Sequence, residues 1–270
     1  MVMPLDEFEF LDKAIKARKE RKKIESEVFD PKVLDILIHL LNNKYIESID
    51  FPISKGKEAY VFRATKGSKL LNQDLKKKKS KFAALKIYMI ETSDFKHMQN
   101  YIRGDPRFRK VPHSKKEIVY EWTKKEFRNL RLCYEEGISV PEPYYFRNNV
   151  LLMEFIGDEN GTPAPLLKKI GPPEPKKNFN QIIKEIKKLY SIGLVHSDLS
   201  EYNILVTTDS EGKKSKLHII DVGQTVLIDH PMANEFFERD IKNLIRYFSE
   251  FGVKADADEI IKEIKETKIV

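Results

Sequence analysis

Apolar residues spaced three or four positions apart predict helices in both the early and the late parts of the chain. A charge-rich helix with a thin apolar edge is predicted over 5–28. A second helix begins at the capping residue Asp30, with Pro31 in its first turn. Its predicted core stripe consists of Val33, Leu34, Leu37, Leu40 and Leu41. Further helices are predicted after the capping box at Ser114, over 180–192 before Gly193, and at about 231–250 and 257–267.

Short apolar runs bounded by turn residues predict strands between these helices. Strands are expected at 49–53, 60–64, 82–88, 144–146, 150–157, 204–206 and 217–220. Three stretches predict irregular structure: 66–80 is a flexible solvated loop, 91–113 is a long, mobile basic loop, and 163–175 is a proline-rich connection with one short helical piece.

The strand over 82–88 carries a lysine on the face that it shares with Ala84 and Tyr88. An unpaired buried ammonium costs roughly several kcal/mol, so Lys86 needs an anion if it faces inward. Glu126 lies on the apolar stripe of the following helix and needs a partner for the same reason. We therefore expect Lys86 to pair with Glu126, with Glu121 as the fallback partner. An edge-strand lysine reaching solvent would be the better interpretation if Lys86 stood alone.

A His-x-Asp motif ending at Asp198 is followed five positions later by Asn203 and then by two predicted strands. The second strand ends in Asp221-Val222-Gly223. This spacing resembles the catalytic loop and metal-binding turn of protein kinases. Phosphoryl transfer from ATP needs one carboxylate near the acceptor hydroxyl and oxygen ligands for Mg²⁺. A strand hairpin would bring these groups together. Ser197 stands where many kinases have an arginine that pairs with an activation-loop phosphate, so we expect no activation of that kind.

Charged residues make up 34% of the chain and hydrophobic residues 41%, which is typical of a soluble globular protein. The net charge of +7 and the pI of about 9.1 suit an anionic partner such as a nucleotide, RNA or a ribonucleoprotein.

Cys133 is the single cysteine, which excludes a disulfide framework and a cysteine metal site. No stretch has the apolar length of a membrane span or the pattern of a signal peptide, so we expect a cytoplasmic protein without a membrane partner.

The longer motifs resemble the RIO family of atypical serine/threonine protein kinases. The likeness runs from about residue 30 to 250. The chain is most similar to the first RIO subfamily in its short, archaeal-like form. Its predicted catalytic loop reads Leu-Ser-Glu-Tyr-Asn, and we expect no winged-helix domain before the kinase part. The stretches that carry the resemblance are 54–59, 196–203 and 220–224, with further agreement at 121–130 and 230–233.

The resemblance implies an α+β, bilobal protein-kinase-like fold. Its N-lobe is β-rich, and its truncated helical C-lobe lacks an activation loop and peptide-binding helices. We expect N-terminal helices over 1–48 that pack on the kinase, an N-lobe over 49–153 and a C-lobe over 154–270.

The resemblance also implies an ATP site between the lobes that works with Mg²⁺ or Mn²⁺. Asp198 would accept the proton of the substrate hydroxyl, while Asn203 and Asp221 would bind the metal. Lys86 and Glu126 would hold the phosphates. In this family the aspartate at the position of Asp221 can itself accept a phosphate during ATP hydrolysis.

The remaining expected nucleotide contacts come from the glycine turn, the strands and the hinge. Backbone groups near Glu154 and Ile156 would bond the adenine, and Met153 would guard the pocket. The other expected contacts are Ser54, Lys55, Gly56, Lys57, Glu58, Ala59, Val61 and Ala84.

The implied function is phosphorylation of serine and threonine in protein substrates, including the kinase itself, together with probable ATP hydrolysis in maturation of the small ribosomal subunit. The implied partners are ATP and the rRNA and ribosomal proteins of the pre-small subunit. Candidate self-phosphorylation sites are Thr92, Ser93 and Ser114, although capping a helix is the better interpretation of Ser114. Two alternatives stay open: a small-molecule phosphotransferase of the aminoglycoside or choline kinase type, and a nucleotide-binding scaffold on pre-ribosomes.

Overall fold

A computed structural model describes residues 30–74, 80–107, 114–209 and 214–267. The helix predicted over 5–28 and the lysine run at 76–79 lie outside these residues.

The first part of the described chain is rich in strands, and the second part is mainly helical. The helices are α1 Pro31–Asn42, α2 Ser68–Asp74, α3 Phe95–Ile102, α4 Lys115–Glu135, α5 Leu167–Ile170, α6 Pro175–Ser191, α7 Ala233–Ser249 and α8 Ala257–Lys265. The strands are β1 Ile46–Lys55, β2 Ala59–Lys66, β3 Phe82–Tyr88, β4 Pro143–Arg147, β5 Val150–Glu154, β6 Leu194–Val195, β7 Ile204–Thr208, β8 Ser215–Ile219 and β9 Val226–Leu227.

The first lobe is an antiparallel sheet in the order β1-β2-β3-β5-β4. Its central strand β3 is buried along its whole length. Side chains of a strand alternate between faces, so Leu85 and Ile87 pack in one apolar cluster with α1, whereas Tyr88 packs in the other cluster with α4. The same alternation turns Lys86 toward α4.

Helix α1 forms where the sequence predicts it. The Asp30 carboxylate accepts a hydrogen bond of 2.8 Å from the Val33 N–H, which satisfies one of the free N–H groups of the first turn. The predicted stripe needs one correction, because Leu34 is 45% exposed while Ile36 is buried in its place. The buried face of the helix has rotated toward the 33, 36, 37, 40 positions.

The second lobe packs α6, α7 and α8 around two short antiparallel strand pairs. Strand β7 pairs with β8, and β6 pairs with β9, so the segment between β6 and β7 is held at both ends. Helix α6 begins at Pro175, five residues before the predicted start, because the proline suits the first turn and Phe179 is already buried. The helix ends before Gly193, whose φ is +74°.

Two segments predicted as loops contain helices. Helix α3 lies within 91–113, and its residues Met98, Tyr101 and Ile102 are buried. The Tyr101 ring meets the Trp122 and Phe236 rings, with centroids 6.0 and 5.4 Å apart. Helix α2 lies within 66–80 and buries Leu70. Both helices are stabilised by contacts with distant parts of the chain. Among the described helices, none is long and apolar enough to cross a membrane.

Gly67 joins β2 to α2 where the chain passes the backbone of Lys44. A Cβ atom at Gly67 would lie only 2.7 Å from the Lys44 carbonyl carbon, so a side chain there would push the two segments apart. We expect Gly67→Ala to lower the free energy of unfolding by roughly 1–3 kcal/mol, as overpacking usually does. Chemical denaturation would measure it, with Gln73→Ala on the exposed face of α2 as the control. Equal stability of the two variants would contradict the close approach.

Candidate active site

A cavity of about 450 Å³ lies between the five-stranded sheet and the second lobe. Most of the residues predicted to bind the nucleotide line it: Ser54, Gly56, Lys57, Glu58, Ala59, Val61, Ala84, Lys86, Glu126, Met153, Glu154 and Ile156. Asn203 and Asp221 line it from the other lobe. Two predicted residues are not part of the lining. Lys55 lies over the Tyr60 ring, 5.2 Å from its centroid, and Asp198 lies beside Asn203.

Lys86 joins three elements at the back of the cavity. Its Nζ lies 2.8 Å from Glu126 Oε1 on α4 and 3.1 Å from Asp221 Oδ1 after β8. The expected pair of Lys86 with Glu126 is therefore present, and Glu121 instead pairs with Lys124. The Tyr88 hydroxyl donates a hydrogen bond to the second Glu126 oxygen, so both oxygens of this buried carboxylate are bonded. Sequence reasoning placed Tyr88 on the correct face but did not include it in the site.

The pKa values of Lys86 and Asp221 depend on each other. Burial alone would lower the pKa of Lys86, but Asp221 and Glu126 together raise it well above its ordinary value. Burial would raise the pKa of Asp221, yet the Lys86 ammonium lowers it overall. The lysine is therefore protonated and the Asp221 side chain is an anion. Asp221 is 46% exposed at the side chain, which leaves it accessible from the cavity.

Side chains of α7 hold the loop between β6 and β7 through hydrogen bonds to its backbone. The buried Asp240 carboxylate accepts hydrogen bonds from the N–H groups of Ser197, at 2.8 Å, and Leu199, at 3.0 Å. Arg239 donates to the Ser197 carbonyl. Ser197 has a φ of +72°, a left-handed conformation that these bonds stabilise. Burial raises the pKa of Asp240 to about 7. Sequence reasoning missed Asp240, although a carboxylate on the apolar stripe of α7 was a usable signal.

Asn203 links the loop to the turn after β8. Its Nδ2 donates to the Asp198 carbonyl oxygen, at 2.8 Å, and to Asp198 Oδ2, at 3.1 Å. Its backbone carbonyl accepts a hydrogen bond of 3.0 Å from the Ile220 N–H, directly before Asp221. The hairpin therefore brings Asp198, Asn203 and Asp221 together, as the spacing predicted. Burial lowers the pKa of His196 to about 4, so this histidine is neutral at physiological pH.

The glycine turn and the hinge already use some of the backbone groups assigned to the nucleotide. The Gly56 N–H donates to the Ala59 carbonyl at 2.9 Å, so it closes the turn. The Glu154 N–H donates to the Glu142 carbonyl at 2.8 Å, and the Ile156 carbonyl accepts from the Ala164 N–H at 3.0 Å. An adenine contact at Ile156 would therefore use its N–H group or share its carbonyl oxygen with Ala164.

The oxygen atoms of the site fit a cation that arrives with phosphates. Within the described residues, no three His, Cys, Asp or Glu side chains group closely enough to hold a metal by themselves. Mg²⁺ is usually held by one or two side chains together with substrate phosphates and water. Because the Asn203 amide nitrogen is bonded to Asp198, its oxygen is the atom left to coordinate a metal, beside the Asp221 carboxylate.

The Tyr88 hydroxyl gives a direct test of how Glu126 is held. Tyr88→Phe removes one hydrogen bond to a buried carboxylate and leaves the Lys86 pair in place. We expect a loss of roughly 1.5–3 kcal/mol in the free energy of unfolding, the usual contribution of a hydrogen bond to a charged group. Thermal or denaturant unfolding would measure it, with the half-buried Tyr120→Phe as the control. An unchanged stability for Tyr88→Phe would show that Glu126 does not depend on this hydroxyl.

Comparison with known proteins places this geometry in a family. The RIO domain model matches residues 61–260. The RIO-type serine/threonine-protein kinase Rio1 of Methanocaldococcus jannaschii is 39% identical over 252 residues, which covers 91% of this chain and 80% of that protein. Rio1 of Haloferax volcanii is 37% identical over 238 residues, covering 88% and 76%.

A solved structure has the same fold. The chain aligns with the Rio2 kinase–ADP/Mg²⁺–phosphoaspartate complex from Chaetomium thermophilum at a TM-score of 0.63 and 24% identity, covering 93% of this chain and 77% of that one. The β-rich first lobe and the reduced helical second lobe form the expected truncated, bilobal, kinase-like α+β fold. The chain belongs to the RIO family of serine/threonine protein kinases and is of the Rio1 type.

Proposed function

We propose that this kinase transfers the γ-phosphoryl group of ATP to serine and threonine hydroxyls of proteins, including its own chain, and that it also hydrolyses ATP. The observation that carries the proposal is the meeting of Lys86 with Asp221, at 3.1 Å, across the cavity between the lobes. A protonated lysine from the sheet and an accessible carboxylate from the second lobe, in contact within the cavity, suit a triphosphate and its cation. The proposed lobes, over 49–153 and 154–270, place these residues on either side of the cleft.

Each residue in the cleft has a proposed task. Lys86 neutralises phosphate oxygens while Glu126 and Tyr88 fix its position. Asp198 accepts the proton of the attacking hydroxyl, and its bond to Asn203 orients it. Asn203 and Asp221 would hold the metal, with Mg²⁺ proposed first and Mn²⁺ as a substitute. The metal would neutralise the charge that develops between the phosphates.

We propose ATP hydrolysis because of the position of Asp221. The Rio2 kinase of Chaetomium thermophilum has been solved as a phosphoaspartate complex with ADP and Mg²⁺. Asp221 is ionised and accessible from the cavity, which is what a carboxylate nucleophile requires. A phosphoryl group carried by this residue and then released to water would make the protein an ATPase. Tight retention of the phosphorylated state would instead suit a nucleotide-dependent scaffold.

The proposed setting is maturation of the small ribosomal subunit, with rRNA and ribosomal proteins as partners. Its support is the net charge of +7, which favours an anionic assembly.

Among the candidate self-phosphorylation sites, Ser93 is buried and bonded to Met89, and Ser114 caps α4. Thr92 is exposed and bonded to the Lys57 carbonyl of the glycine turn, so we favour it among the three.

Substitution of Asp198 tests the transfer reaction. Asp198→Ala removes the proposed proton acceptor but leaves the cavity lining intact, so protein phosphorylation should fall by roughly 100-fold or more with little change in ATP affinity. Radiolabelled ATP and mass spectrometry would measure it, with Asp35→Asn on the exposed side of α1 as the control. Full activity of Asp198→Ala would end this assignment. Labelling of small alcohols in preference to protein would favour the small-molecule phosphotransferase.

The chemical stability of the label tests the hydrolytic step. An aspartyl phosphate is an acyl phosphate, which hydroxylamine cleaves, whereas phosphoserine and phosphothreonine resist it. We expect part of the label to be hydroxylamine-sensitive and to disappear in Asp221→Asn. A sensitive label that persists in Asp221→Asn would contradict the proposed acceptor. The absence of any sensitive label in the unmodified protein would leave the kinase proposal without its ATPase branch.

A further inference from the structure

Side chains of helix α4 form hydrogen bonds to the turn that follows Asp221. These side chains are not part of the proposed nucleotide site. Lys125 is 1% exposed, and its Nζ donates hydrogen bonds to the carbonyls of Gly223, at 2.7 Å, and Thr225. Burial, with a further contribution from Arg107, lowers the pKa of Lys125 to about 7. A neutral amine still has two N–H groups, so both bonds persist when the charge is lost.

Asn129 holds the same turn one helical turn further along α4. Its Nδ2 donates to the carbonyls of Val222, at 2.8 Å, and Thr225, at 3.2 Å. Residues four apart on a helix lie on one face, so Lys125 and Asn129 act on the turn together. The fit is close, since a Cβ atom at Gly223 would lie 2.9 Å from the Trp122 indole nitrogen. The turn is therefore held by three of its own carbonyl oxygens.

The far side of Asn129 is fixed by the segment 103–107, which we call the latch. Arg107 donates to Asn129 Oδ1 at 2.7 Å and pairs with the buried Asp105 at 2.6 Å. This bond orients the amide, with its oxygen toward Arg107 and its nitrogen toward the turn. The latch is also joined to the second lobe, because His230 Nε2 lies 3.0 Å from the Arg103 carbonyl oxygen.

A rigid turn matters because of the conformation of Asp221. Its φ is +60°, a left-handed value that costs a non-glycine residue roughly 1–3 kcal/mol and persists only where the surroundings enforce it. The carboxylate can face Lys86 and a cation only while the turn keeps this shape. Loss of a group that orients a metal ligand without touching the metal typically weakens metal binding by roughly 10–100-fold.

We propose that Lys125 and Asn129 are positioning residues for Asp221, and that the latch, acting through Asn129, tunes the affinity of the site for its divalent cation. The inference rests on the proposed function, in which Asp221 holds that cation. It gives the 103–107 segment a role in the reaction, although none of its side chains lines the cavity.

The contact of Lys125 with the turn is tested with Lys125→Met, which keeps most of the unbranched side chain and removes both hydrogen bonds. At saturating ATP, the Mg²⁺ concentration for half-maximal phosphoryl transfer should rise by roughly 10–100-fold, the range for groups that orient metal ligands. Affinity for ATP without metal should stay within about twofold, because Lys125 does not line the cavity and its proposed effect on Asp221 acts on the metal. The matched control is Lys124→Met, whose lysine pairs with Glu121 on the same helix.

The latch is tested with Arg107→Ala, Asn129→Asp and the double variant. Asn129→Asp keeps an acceptor for Arg107 and removes the donor to the turn, so it should raise the Mg²⁺ midpoint as Lys125→Met does. Arg107→Ala alone should raise it less. Because Arg107 acts through Asn129, the double variant should match Asn129→Asp. Additive shifts in the double variant would show that the latch does not act through this amide.

A second readout separates positioning from packing. If Lys125 and Asn129 only stabilise the fold, their variants will lower the melting temperature while the Mg²⁺ midpoint stays at the wild-type value, and that result overturns the inference. A wild-type protein that neither phosphorylates protein nor hydrolyses ATP would overturn the proposed function instead. A shifted midpoint with unchanged metal-free ATP affinity supports both.

Discussion

The structure depends on the charge of Lys86. Anions stabilise this buried ammonium, and here one comes from α4 and the other from the turn after β8. The sheet, the helix and the second lobe therefore share one electrostatic contact. Displacement of any of the three would leave a buried charge without its partner. The cavity keeps its observed shape because these elements are joined to one another at Lys86.

Two buried carboxylates on helices fix functional parts of the site, one at this contact and one elsewhere. Glu126 fixes the lysine, whereas Asp240 on α7 fixes the loop that carries Asp198 by accepting two of its backbone N–H groups. Neither carboxylate is proposed to react. Each one lies on the apolar stripe of its helix and joins that helix to a functional segment. Glu126 holds strand β3 through Lys86 and Tyr88, and Asp240 holds the loop before β7. The reacting groups thus lie on irregular segments that rigid helices orient.

Much of this arrangement could be predicted from the sequence because its signals are local. Strand β3 has the predicted bounds, and α4 follows the predicted cap at Ser114. The pairing of Lys86 with Glu126 followed from a simple rule, that a charge among apolar residues needs a partner. The loop motif predicted the proximity of Asp198 to Asn203, because only four residues of one loop separate them, and the β7–β8 hairpin then brings Asp221 close to Asn203.

The rest could not be predicted because its causes are distant in the chain. Helix α3 is stabilised by rings far along the sequence, among them Phe236, so its polar composition favoured a loop. The partners of Lys125 are backbone carbonyls about one hundred residues away, and a carbonyl leaves no mark on the sequence. Lys125 looks like one more surface lysine in a basic helix. A side chain that bonds backbone groups can be recognised only once the fold has brought them together, and for that reason the support of Asp221 emerged from the structure while Asp221 itself was visible in the sequence.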